Sequence, residues 1–329
     1  MSLSTESLKE EIVMGVTRIG HVSLYVMDIA ASVNHYTKVV GMDVTHRDSD
    51  GTTYLKCWDE WDKYSVVLKP SDRAKLDHLA YKVENDADLD VLGKRVADGG
   101  VAVSKHAAGE LSFCGRSISF MLPSGQRMYL FAQKDFLGKD VGVMNPDPWP
   151  DSRHGIGAHW LDHCLILGEL NPEKGINRVA DCCEFLKGTL DFRLTEQGMV
   201  GPGHSVMAAA FLTRTVKPHD IAIVGAPTNG FHHLSFFLDG WHDILHAGDI
   251  LSKNRVKIEL LPSRHGITRG ETIYFFDPSG IRNETFAGLG YAAHPDMPVI
   301  TWVEEEMARG IFFTAREWVD SFSSAYTAV

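Results

Sequence analysis

Apolar residues recur along the chain with two different periods, one typical of strands and one typical of helices. Alternation over 17–26 predicts a half-buried strand, and apolar positions three and four apart over 29–40 predict an amphipathic helix. The other predicted strands are 53–58, 64–69, 77–83, 117–122, 127–132, 160–167, 206–213, 220–224, 232–238, 272–276 and 282–287, and the other predicted helices are 86–97, 176–189 and 241–253. One strand, one helix and several further strands therefore follow one another repeatedly.

Short segments recur at matching distances, which indicates a duplicated domain. The segment around His78 resembles the segment around His233, and 51 residues separate His78 from Tyr129 just as 51 residues separate His233 from Glu284. The later copy is longer near its beginning, and the Gly- and Pro-containing segments 170–177 and 199–205 are the candidate insertions.

This duplication predicts an α+β fold in which each of two domains contains two βαβββ units that form a half-open barrel. A Pro-rich linker occupies 142–154. The predicted boundaries are 1–145 for the N-terminal domain, 146–300 for the C-terminal domain and 301–329 for a C-terminal helical cap.

Composition narrows the class of protein. The 329 residues have a formal net charge of −11 and a sequence pI near 5.8, which argues against a nucleic-acid partner or an anionic membrane surface. The 1–14 segment has no apolar run typical of a signal peptide, and no window is apolar enough to predict a membrane span. The five cysteines are irregularly spaced, which favours free thiols in a reducing cytoplasm.

Three side chains that commonly bind metals occupy matching positions in the later copy. His163, His233 and Glu284 lie on three separate predicted strands, on the faces expected to point into the barrel. Two imidazoles and one carboxylate form the ligand set that holds Fe(II) and leaves coordination positions open. The alternative is that they are interior polar residues that only form hydrogen bonds, but the repeat positions favour a metal site.

Strand alternation distinguishes His233 from its neighbour His232. The period of two places Phe231, Ser235 and Phe237 on the same face as His233, and it places His232 on the opposite face. The alignment of the repeats also selects His233.

The earlier copy lacks the carboxylate. His21 and His78 align with His163 and His233, but Tyr129 stands at the position of the ligand-type glutamate. We therefore predict that the N-terminal domain binds no metal and that the C-terminal domain is the catalytic, metal-binding one.

The segment from His265 to Glu284 (HGITRGETIYFFDPSGIRNE) carries a resemblance to a known family. Its His, apolar-Tyr pair, Asp-Pro-x-Gly and Glu resemble the signature of the type I extradiol ring-cleaving dioxygenases. Ser263 departs from the signature, which usually has Gly, Asn, Thr, Ile or Val there. The resemblance covers nearly the whole chain and is greatest to the catechol 2,3-dioxygenase type.

This resemblance implies the vicinal-oxygen-chelate fold, a homotetramer and Fe(II), with Mn(II) as the alternative ion. It also implies that a catechol is cleaved by O2 to 2-hydroxymuconic semialdehyde in bacterial aromatic degradation, with the ring substituents left open. His219 is implied as the acid–base residue, and His265 and Tyr274 as hydrogen-bonding partners of substrate and oxygenated intermediates. The implied substrate-pocket residues are Leu165, Phe211, Ile267 and Thr268.

Two alternative functions stay open at this point. The first is another metal-dependent enzyme on the same fold, such as a glyoxalase-type isomerase, which would need no O2, or a 4-hydroxyphenylpyruvate-type dioxygenase. The second is a ligand-sequestering protein, which would bind a ligand without turnover.

Overall fold

The computed structural model of the chain describes residues 15–329. The 1–14 segment, for which no signal peptide is predicted, lies outside the described residues. Within 15–329 no helix is both long enough and apolar enough to cross a bilayer. The described chain is organised around two sheets, one of eight strands and one of ten. The predicted domain boundaries at residues 145 and 300 stay predictions.

The first sheet is built from two βαβββ units. Its elements are β1 (Val16–Val26), α1 (Ile29–Asn34), β2 (Asp43–Arg47), β3 (Thr53–Lys56), β4 (Val66–Pro70), β5 (Lys75–Val83), α2 (Asp86–Asp98), β6 (Ser104–His106), β7 (Ser117–Met121) and β8 (Arg127–Phe131). Their order across the sheet is β2-β3-β4-β1-β5-β8-β7-β6. The first and last strands of each unit pair in parallel, and the two units meet where β1 and β5 run antiparallel.

The second sheet repeats this plan with two additional strands. Its elements are β9 (Leu161–Asn171), β10 (Ile176–Asn177), α3 (Arg178–Leu190), β11 (Arg193–Val200), β12 (Val206–Thr213), β13 (Ile221–Ala226), β14 (Gly230–Leu238), α4 (Trp241–Lys253), β15 (Ile258–Arg264), β16 (Glu271–Phe276), β17 (Arg282–Ala287) and β18 (Ile300–Val303). Their order is β15-β16-β17-β14-β9-β13-β12-β11-β18, and β10 pairs with β9. The predicted α+β arrangement of two βαβββ units per half is confirmed.

Local sequence determines where helices begin and end. The Asn85 side chain accepts a hydrogen bond from the Asp88 backbone N–H and caps α2. The helix predicted over 29–40 continues past α1 as π-helical turns over His35–Val40 and ends at Gly41, whose φ is 89°. A Cβ at Gly41 would lie 2.2 Å from the His154 carbonyl oxygen, so both the backbone angle and the close contact require glycine.

Buried apolar side chains form one large cluster that includes residues from both domains. Tyr36 of the first domain and Phe236 of the second are both fully buried in it, with ring centroids 6.4 Å apart. Burial of one such side chain contributes about 1.5–3 kcal/mol to folding. A separate smaller cluster contains Leu165, Phe211 and Ile267.

Two Pro-Ser-Gly turns, at 123–125 and 278–280, connect the two domains, since each lies beside contacts to the other domain. Beside the first turn, the Gln126 side-chain amide donates to the carbonyl oxygens of Leu167 and Gly230, at 3.0 and 2.8 Å. In the second turn, the Ser279 hydroxyl accepts the backbone N–H of Met27 at 3.0 Å. Because Leu167 lies on β9 and Gly230 begins β14, the N-terminal domain fixes the two central strands of the second sheet.

The predicted face of Phe231 on β14 is wrong. The pairing of β14 with β9 shifts register between Phe231 and His233, which is a β-bulge. The bulge resets the alternation, so Phe231 is buried in the large cluster together with Leu234 and Phe236. Alternation therefore holds for His233 and the residues after it, but not for the residue before the bulge.

The helical cap predicted for 301–329 is wrong in its first part. Ile300–Val303 forms β18, which pairs in parallel with β11 at the edge of the sheet. Its β-branched residues favour a strand, and the edge of β11 offers free backbone groups that a strand can satisfy. Two helices of five residues each follow: α5 (Met307–Ile311) and α6 (Asp320–Ser324). We call the segment 300–329 the C-terminal strap.

Candidate metal centre

The three predicted ligand residues meet on adjacent strands. His163 lies on β9, His233 on β14 and Glu284 on β17, and these strands are neighbours in the sheet. One ligand-type atom from each residue lies within 4.8 Å of the others. The Nε2 atoms of His163 and His233 lie 3.0 and 3.1 Å from Oε2 of Glu284. All three side chains are buried.

His163 is oriented by the residue before it in the chain. Its Nδ1 lies 2.7 Å from Oδ2 of Asp162, so the carboxylate accepts the Nδ1–H and leaves Nε2 directed at Glu284. Burial lowers the pKa of His163, but the hydrogen bonds and charges of Asp162 and Glu284 outweigh burial and raise the pKa above its ordinary value. A divalent cation can replace the proton held between His163 and Glu284.

Asp162 is kept ionised by a partly buried lysine. The Lys217 ammonium donates to Oδ1 of Asp162 at 3.1 Å and to its carbonyl oxygen at 2.7 Å. Burial alone would raise the pKa of Asp162, but the charge of Lys217 and the hydrogen bond from His163 lower it below its usual range. Lys217 also pairs with Asp220 at 3.1 Å.

A chain of hydrogen bonds determines the tautomer of His233. The Phe322 carbonyl oxygen can only accept, so the Nε2 of His232, 2.9 Å away, carries the hydrogen. Burial lowers the pKa of His232 well below its ordinary value and that of His233 to about 4, so both rings are neutral. The Nδ1 of His232 then accepts from the Nδ1 of His233 at 2.7 Å.

This tautomer leaves the Nε2 of His233 with a free lone pair inside the cluster. That atom is buried and has no hydrogen-bond partner among residues 15–329, because neither its lone pair nor the Glu284 carboxylate oxygen 3.1 Å away carries a hydrogen. A buried nitrogen without a partner, facing a carboxylate and a second imidazole, fits a divalent metal ion.

Glu284 supplies the negative charge of the cluster. Its Oε1 accepts the Thr272 hydroxyl at 2.6 Å. Burial raises the pKa of Glu284, but His233 and His163 together lower it well below its ordinary value. A buried carboxylate is costly unless it is hydrogen-bonded or paired with a positive charge, and a divalent cation between the two imidazoles would provide that charge.

His219 lies beside the ligand cluster. Its ring centroid is 4.0 Å from that of His163, and its Nδ1 is buried without a hydrogen-bond partner in the described part of the chain. Burial lowers the pKa of His219 well below its ordinary value, and the charge of His163 lowers it further. The Thr195 hydroxyl donates to the Pro218 carbonyl oxygen and holds the loop that carries His219. His219 is therefore a neutral imidazole able to accept a proton.

His265 and Tyr274 form a hydrogen-bonded pair on the other side of the cluster. The Nε2 of His265 lies 3.0 Å from the Tyr274 hydroxyl, and its Nδ1 lies 2.5 Å from the Ile311 carbonyl oxygen. Burial and the nearby charge of Glu284 raise the pKa of Tyr274 well above its ordinary value. Because the Ile311 carbonyl oxygen can only accept, Nδ1 of His265 carries the ring hydrogen and Nε2 accepts the Tyr274 O–H. Tyr274 therefore stays a phenol whose hydrogen is directed at His265.

A single cavity brings all the predicted site residues together. The ligand-type residues, the three implied catalytic residues and the four implied pocket residues all line it. They are His163, His233, Glu284, His219, His265, Tyr274, Leu165, Phe211, Ile267 and Thr268. Phe286 and the strap residues Ile311 and Phe322 complete the lining.

The sequence did not identify several residues that organise this cavity. Asp162 could have been found, because it directly precedes His163 and metal-ligating histidines usually donate to a carboxylate. His232 and Lys217 act through contacts visible only in three dimensions. The carbonyl oxygens of Ile311 and Phe322 gave no signal, since any residue has a carbonyl.

A larger cavity of about 330 Å³ lies between the domains. It includes Lys139 and Lys217, which pair with Asp59 and Asp162 respectively. Because these charges already have partners, the smaller cavity around Glu284 is the better candidate for chemistry.

Two parts of the chain match known families. Residues 160–285 match the Glyoxalase/Bleomycin resistance protein/Dioxygenase superfamily. Residues 76–135 match the Catechol 2,3-dioxygenase-like N-terminal domain. The first of these matches contains every ligand-type residue of the cavity.

Similar proteins are known in sequence and in structure. The chain is 38% identical over 315 residues to a metapyrocatechase of Pseudomonas sp. (strain CF600), which covers 95% of this chain and 99% of that protein. It is 29% identical over 311 residues to the manganese-dependent 2,3-dihydroxybiphenyl 1,2-dioxygenase of Geobacillus genomosp. 3. That match covers 92% of this chain and 95% of the relative. The crystal structure of the 2,3-dioxygenase LapB from Pseudomonas sp. KL28 superimposes with a TM-score of 0.82 at 37% identity. The superposition covers 88% of this chain and 98% of LapB. The similarity extends over nearly the whole chain.

Proposed function

The chain belongs to the type I extradiol dioxygenases of the Glyoxalase/Bleomycin resistance protein/Dioxygenase superfamily, and from this premise we propose that it cleaves catechols with O2. Cleavage beside the two hydroxyl groups of catechol gives 2-hydroxymuconic semialdehyde, and both oxygen atoms enter the product. The observation that carries the proposal is the buried cluster of His163, His233 and Glu284 within one cavity that also holds His219 and Tyr274.

The proposed metal is Fe(II), held by His163, His233 and Glu284. The free lone pair on His233 Nε2 and the carboxylate of Glu284 support a divalent cation here. When bound, the ion would supply a Lewis acid with open positions for the catechol oxygens and O2. Mn(II) is the second candidate, because a relative that is 29% identical is a manganese-dependent dioxygenase.

The proton chemistry belongs to His219 in this proposal. Its Nδ1 is free, and burial keeps the ring neutral, so it can accept a catechol hydroxyl proton and return it later. Tyr274 keeps its proton and, once its hydroxyl turns from His265 to the substrate, stabilises negative charge that develops on substrate oxygen. Before substrate binds, His265 Nε2 accepts the Tyr274 O–H at 3.0 Å and holds that hydroxyl inside the cavity.

The apolar lining binds the aromatic ring and excludes water. Four apolar side chains line the same cavity as the polar cluster: Leu165, Phe211, Ile267 and Phe286. Apolar walls suit a ring whose only polar groups are the two oxygens directed at the metal. One methyl group on the ring changes binding in such a pocket by only about 1–3 kcal/mol, so methylcatechols are also candidate substrates.

Oxygen uptake tests the proposal. Protein loaded anaerobically with Fe(II) is mixed with catechol in air, and O2 consumption is measured beside the absorbance of the yellow ring-cleaved product. One O2 is expected per catechol, and the matched Glu284→Gln variant is expected to show neither signal. The proposal is wrong if iron-loaded protein consumes no O2 with catechol, 3-methylcatechol or 4-methylcatechol.

The choice of metal needs a separate measurement. Metal-free protein is reconstituted with Fe(II) or Mn(II), and bound metal and turnover are measured on the same samples. Fe(II) is expected to give the higher rate per bound ion. A higher rate per ion with Mn(II) would make manganese the cofactor while leaving ring cleavage intact.

The same assay separates the alternatives. An isomerase on this fold would convert its substrate without O2. A ligand-sequestering protein would bind a catechol at equilibrium and release it unchanged. Ring-cleaved product formed with consumption of O2 contradicts both.

We also propose a cytoplasmic homotetramer. All five cysteines are buried and free of disulfides, which suits a reducing compartment. The apolar side chains of Trp61, Phe136 and Leu137 are exposed close together, which suits a subunit interface. Light scattering should give four times the chain mass of 36.5 kDa, and a value of one chain mass would contradict the tetramer.

A further inference from the structure

Glu196 on β11 is a buried carboxylate outside the ligand cluster, with 1% of its surface exposed. It accepts three hydrogen bonds: from the Thr268 backbone N–H at 2.6 Å, from the Tyr291 hydroxyl at 2.6 Å and from the Trp302 indole N–H at 2.7 Å. The donors come from the β15–β16 loop, from the segment after β17 and from β18 of the strap. One carboxylate therefore joins three separate segments of the C-terminal domain.

The Thr268 turn is strained. Thr268 and Arg269 both have φ of 59°, in the left-handed region that a β-branched residue such as threonine rarely adopts. Such a conformation persists only where neighbouring groups hold it. A Cβ at Gly290 would lie 1.8 Å from the Thr268 carbonyl oxygen, so the turn is packed on one side, and Glu196 holds its N–H on the other.

The same turn forms a wall of the cavity that contains His163, His233 and Glu284, which we call the metal cavity. Ile267 and Thr268 line that cavity together with His265, which precedes them by two and three residues. The backbone N–H groups of Gly266 and Ile267 donate to the Gly310 carbonyl oxygen of the strap at 2.8 and 2.9 Å. The wall is thus fixed between Glu196 and the strap.

We propose that Glu196 is a positioning residue for this wall: its carboxylate holds the strained Thr268 turn and the Trp302 indole together, and thereby sets the space available to the substrate ring. This inference rests on the proposed function of the cavity. Glu196 is not itself among the residues that line the cavity, so it acts through Thr268 and Trp302.

Glu196→Gln is the direct test. The glutamine amide has one accepting oxygen, and it keeps two hydrogen bonds only when that oxygen faces Thr268 and Tyr291, so its NH2 group faces the indole N–H of Trp302. Loosening the wall weakens ring binding but leaves the metal ligands and His219 in place. We expect KM for catechol to rise about tenfold while kcat changes less than about threefold. Unchanged KM, or a fall in kcat with KM unchanged, would overturn the inference.

Two further variants keep the test decisive. Trp302→Phe removes one of the three donors and keeps the carboxylate, and we expect a KM increase of about two- to threefold. In Glu196→Gln the glutamine NH2 group and the Trp302 indole N–H are two donors that face each other. The double variant Glu196→Gln/Trp302→Phe removes the indole N–H, so its KM should lie between those of the wild type and Glu196→Gln. A double variant as impaired as the two single changes combined would overturn the donor conflict on which the inference relies. If Glu196→Gln does not fold, an unchanged KM in Trp302→Phe alone would overturn it.

Glu60→Gln is the matched control. Glu60 is a carboxylate that also accepts two backbone N–H groups, those of Leu161 and Cys57, but it does not line the metal cavity. Its variant should lower thermal stability without raising KM for catechol. An equal rise of KM in Glu60→Gln would mean that general loosening, and not the Thr268 turn, explains the effect.

Amide hydrogen exchange separates this inference from the proposed function. Exchange of segment 264–271 should increase in Glu196→Gln and not in Glu60→Gln, whether or not the protein cleaves catechols. If wild-type protein consumes no O2 but this difference appears, ring cleavage is wrong while Glu196 still holds the turn. Equal exchange in the two variants would overturn the role of Glu196 even in an active enzyme.

Discussion

The two domains place the same five backbone positions around their centres but fill three of them with different side chains. In strand register and repeat spacing, the C-terminal set corresponds residue by residue to an N-terminal set. The C-terminal set is His163, His219, His233, Tyr274 and Glu284, and the N-terminal set is His21, Tyr64, His78, Ser119 and Tyr129. The comparison therefore separates what the fold provides from what the side chains provide.

The pair of imidazoles is present in both centres. His21 and His78 approach with their Nε2 atoms 2.9 Å apart, and one of them is oriented by the preceding Asp77, 3.0 Å from His78 Nδ1. What the N-terminal centre lacks is a carboxylate at Tyr129. Two histidines on equivalent strands do not by themselves make the charge environment of a metal site.

A buried lysine places a positive charge in the N-terminal centre. The Lys134 ammonium is buried 3.1 Å from His21 Nδ1 and donates to the carbonyl oxygens of Gly20 and Tyr64. Burial lowers the pKa of Lys134 to about 8, and burial together with the lysine charge lowers the pKa of His21 well below its ordinary value. The C-terminal centre has a buried anion and suits a cation, whereas the N-terminal centre already contains one.

The largest difference between the two centres should come from the position that holds Glu284 in one domain and Tyr129 in the other. Glu284→Gln keeps the shape but removes the charge, and we expect kcat/KM to fall about 10³-fold or more together with loss of bound metal. Tyr129→Phe at the equivalent position should leave both unchanged. Metal analysis and oxygen uptake on the two variants measure the difference. Normal metal content in Glu284→Gln would contradict the role of Glu284 in holding the ion.

A smaller contrast should separate His219 from Tyr64. His219→Ala removes the proton acceptor but no metal ligand, so we expect kcat to fall about 10²-fold with metal content retained. Tyr64→Phe changes the residue that packs 4.8 Å from His21 and should leave kcat unaltered. Equal kcat values in wild type and His219→Ala would remove His219 from the proton chemistry.

The aspartates before the histidines offer a third contrast. Asp162→Asn removes the charge that orients His163, and loss of such a partner weakens metal binding about 10–100-fold. Asp77→Asn makes the same change beside His78 and should leave metal affinity intact. Competition with a chelator of known affinity measures both, and equal affinities in the two variants would contradict the assignment of the ion to the C-terminal domain.

The smallest effect concerns stability and not activity. Because the pKa of Lys134 is lowered on folding, the unfolded chain holds more protons between pH 8 and the usual lysine value, and stability rises with pH across that window. The increment is about 1–3 kcal/mol. Urea unfolding at both ends of the window should show it in the wild type and not in Lys134→Met. An identical pH dependence in the two proteins would contradict a buried ammonium.

The repeat and its spacing were enough to predict the fold class and to select His163, His233 and Glu284 together. Side chains alternate along strands, and a duplicated domain places equivalent residues at equivalent registers, so these relations are local and can be read from one sequence. The same reasoning failed at Phe231, because a β-bulge depends on the partner strand β9. It also failed at Ile300–Val303, where the free edge of β11 selected a strand.

The tertiary structure alone decided how the ligand residues are oriented and enclosed. The Phe322 carbonyl determines the tautomer of His233 through His232, and Glu196 holds a turn 72 residues away in sequence. These contacts use backbone carbonyl and N–H groups, which nearly all residue types possess, so they cannot be predicted from residue type. Sequence specified which chemical groups this protein has on which strands, and long-range packing specified the directions in which their lone pairs and protons point.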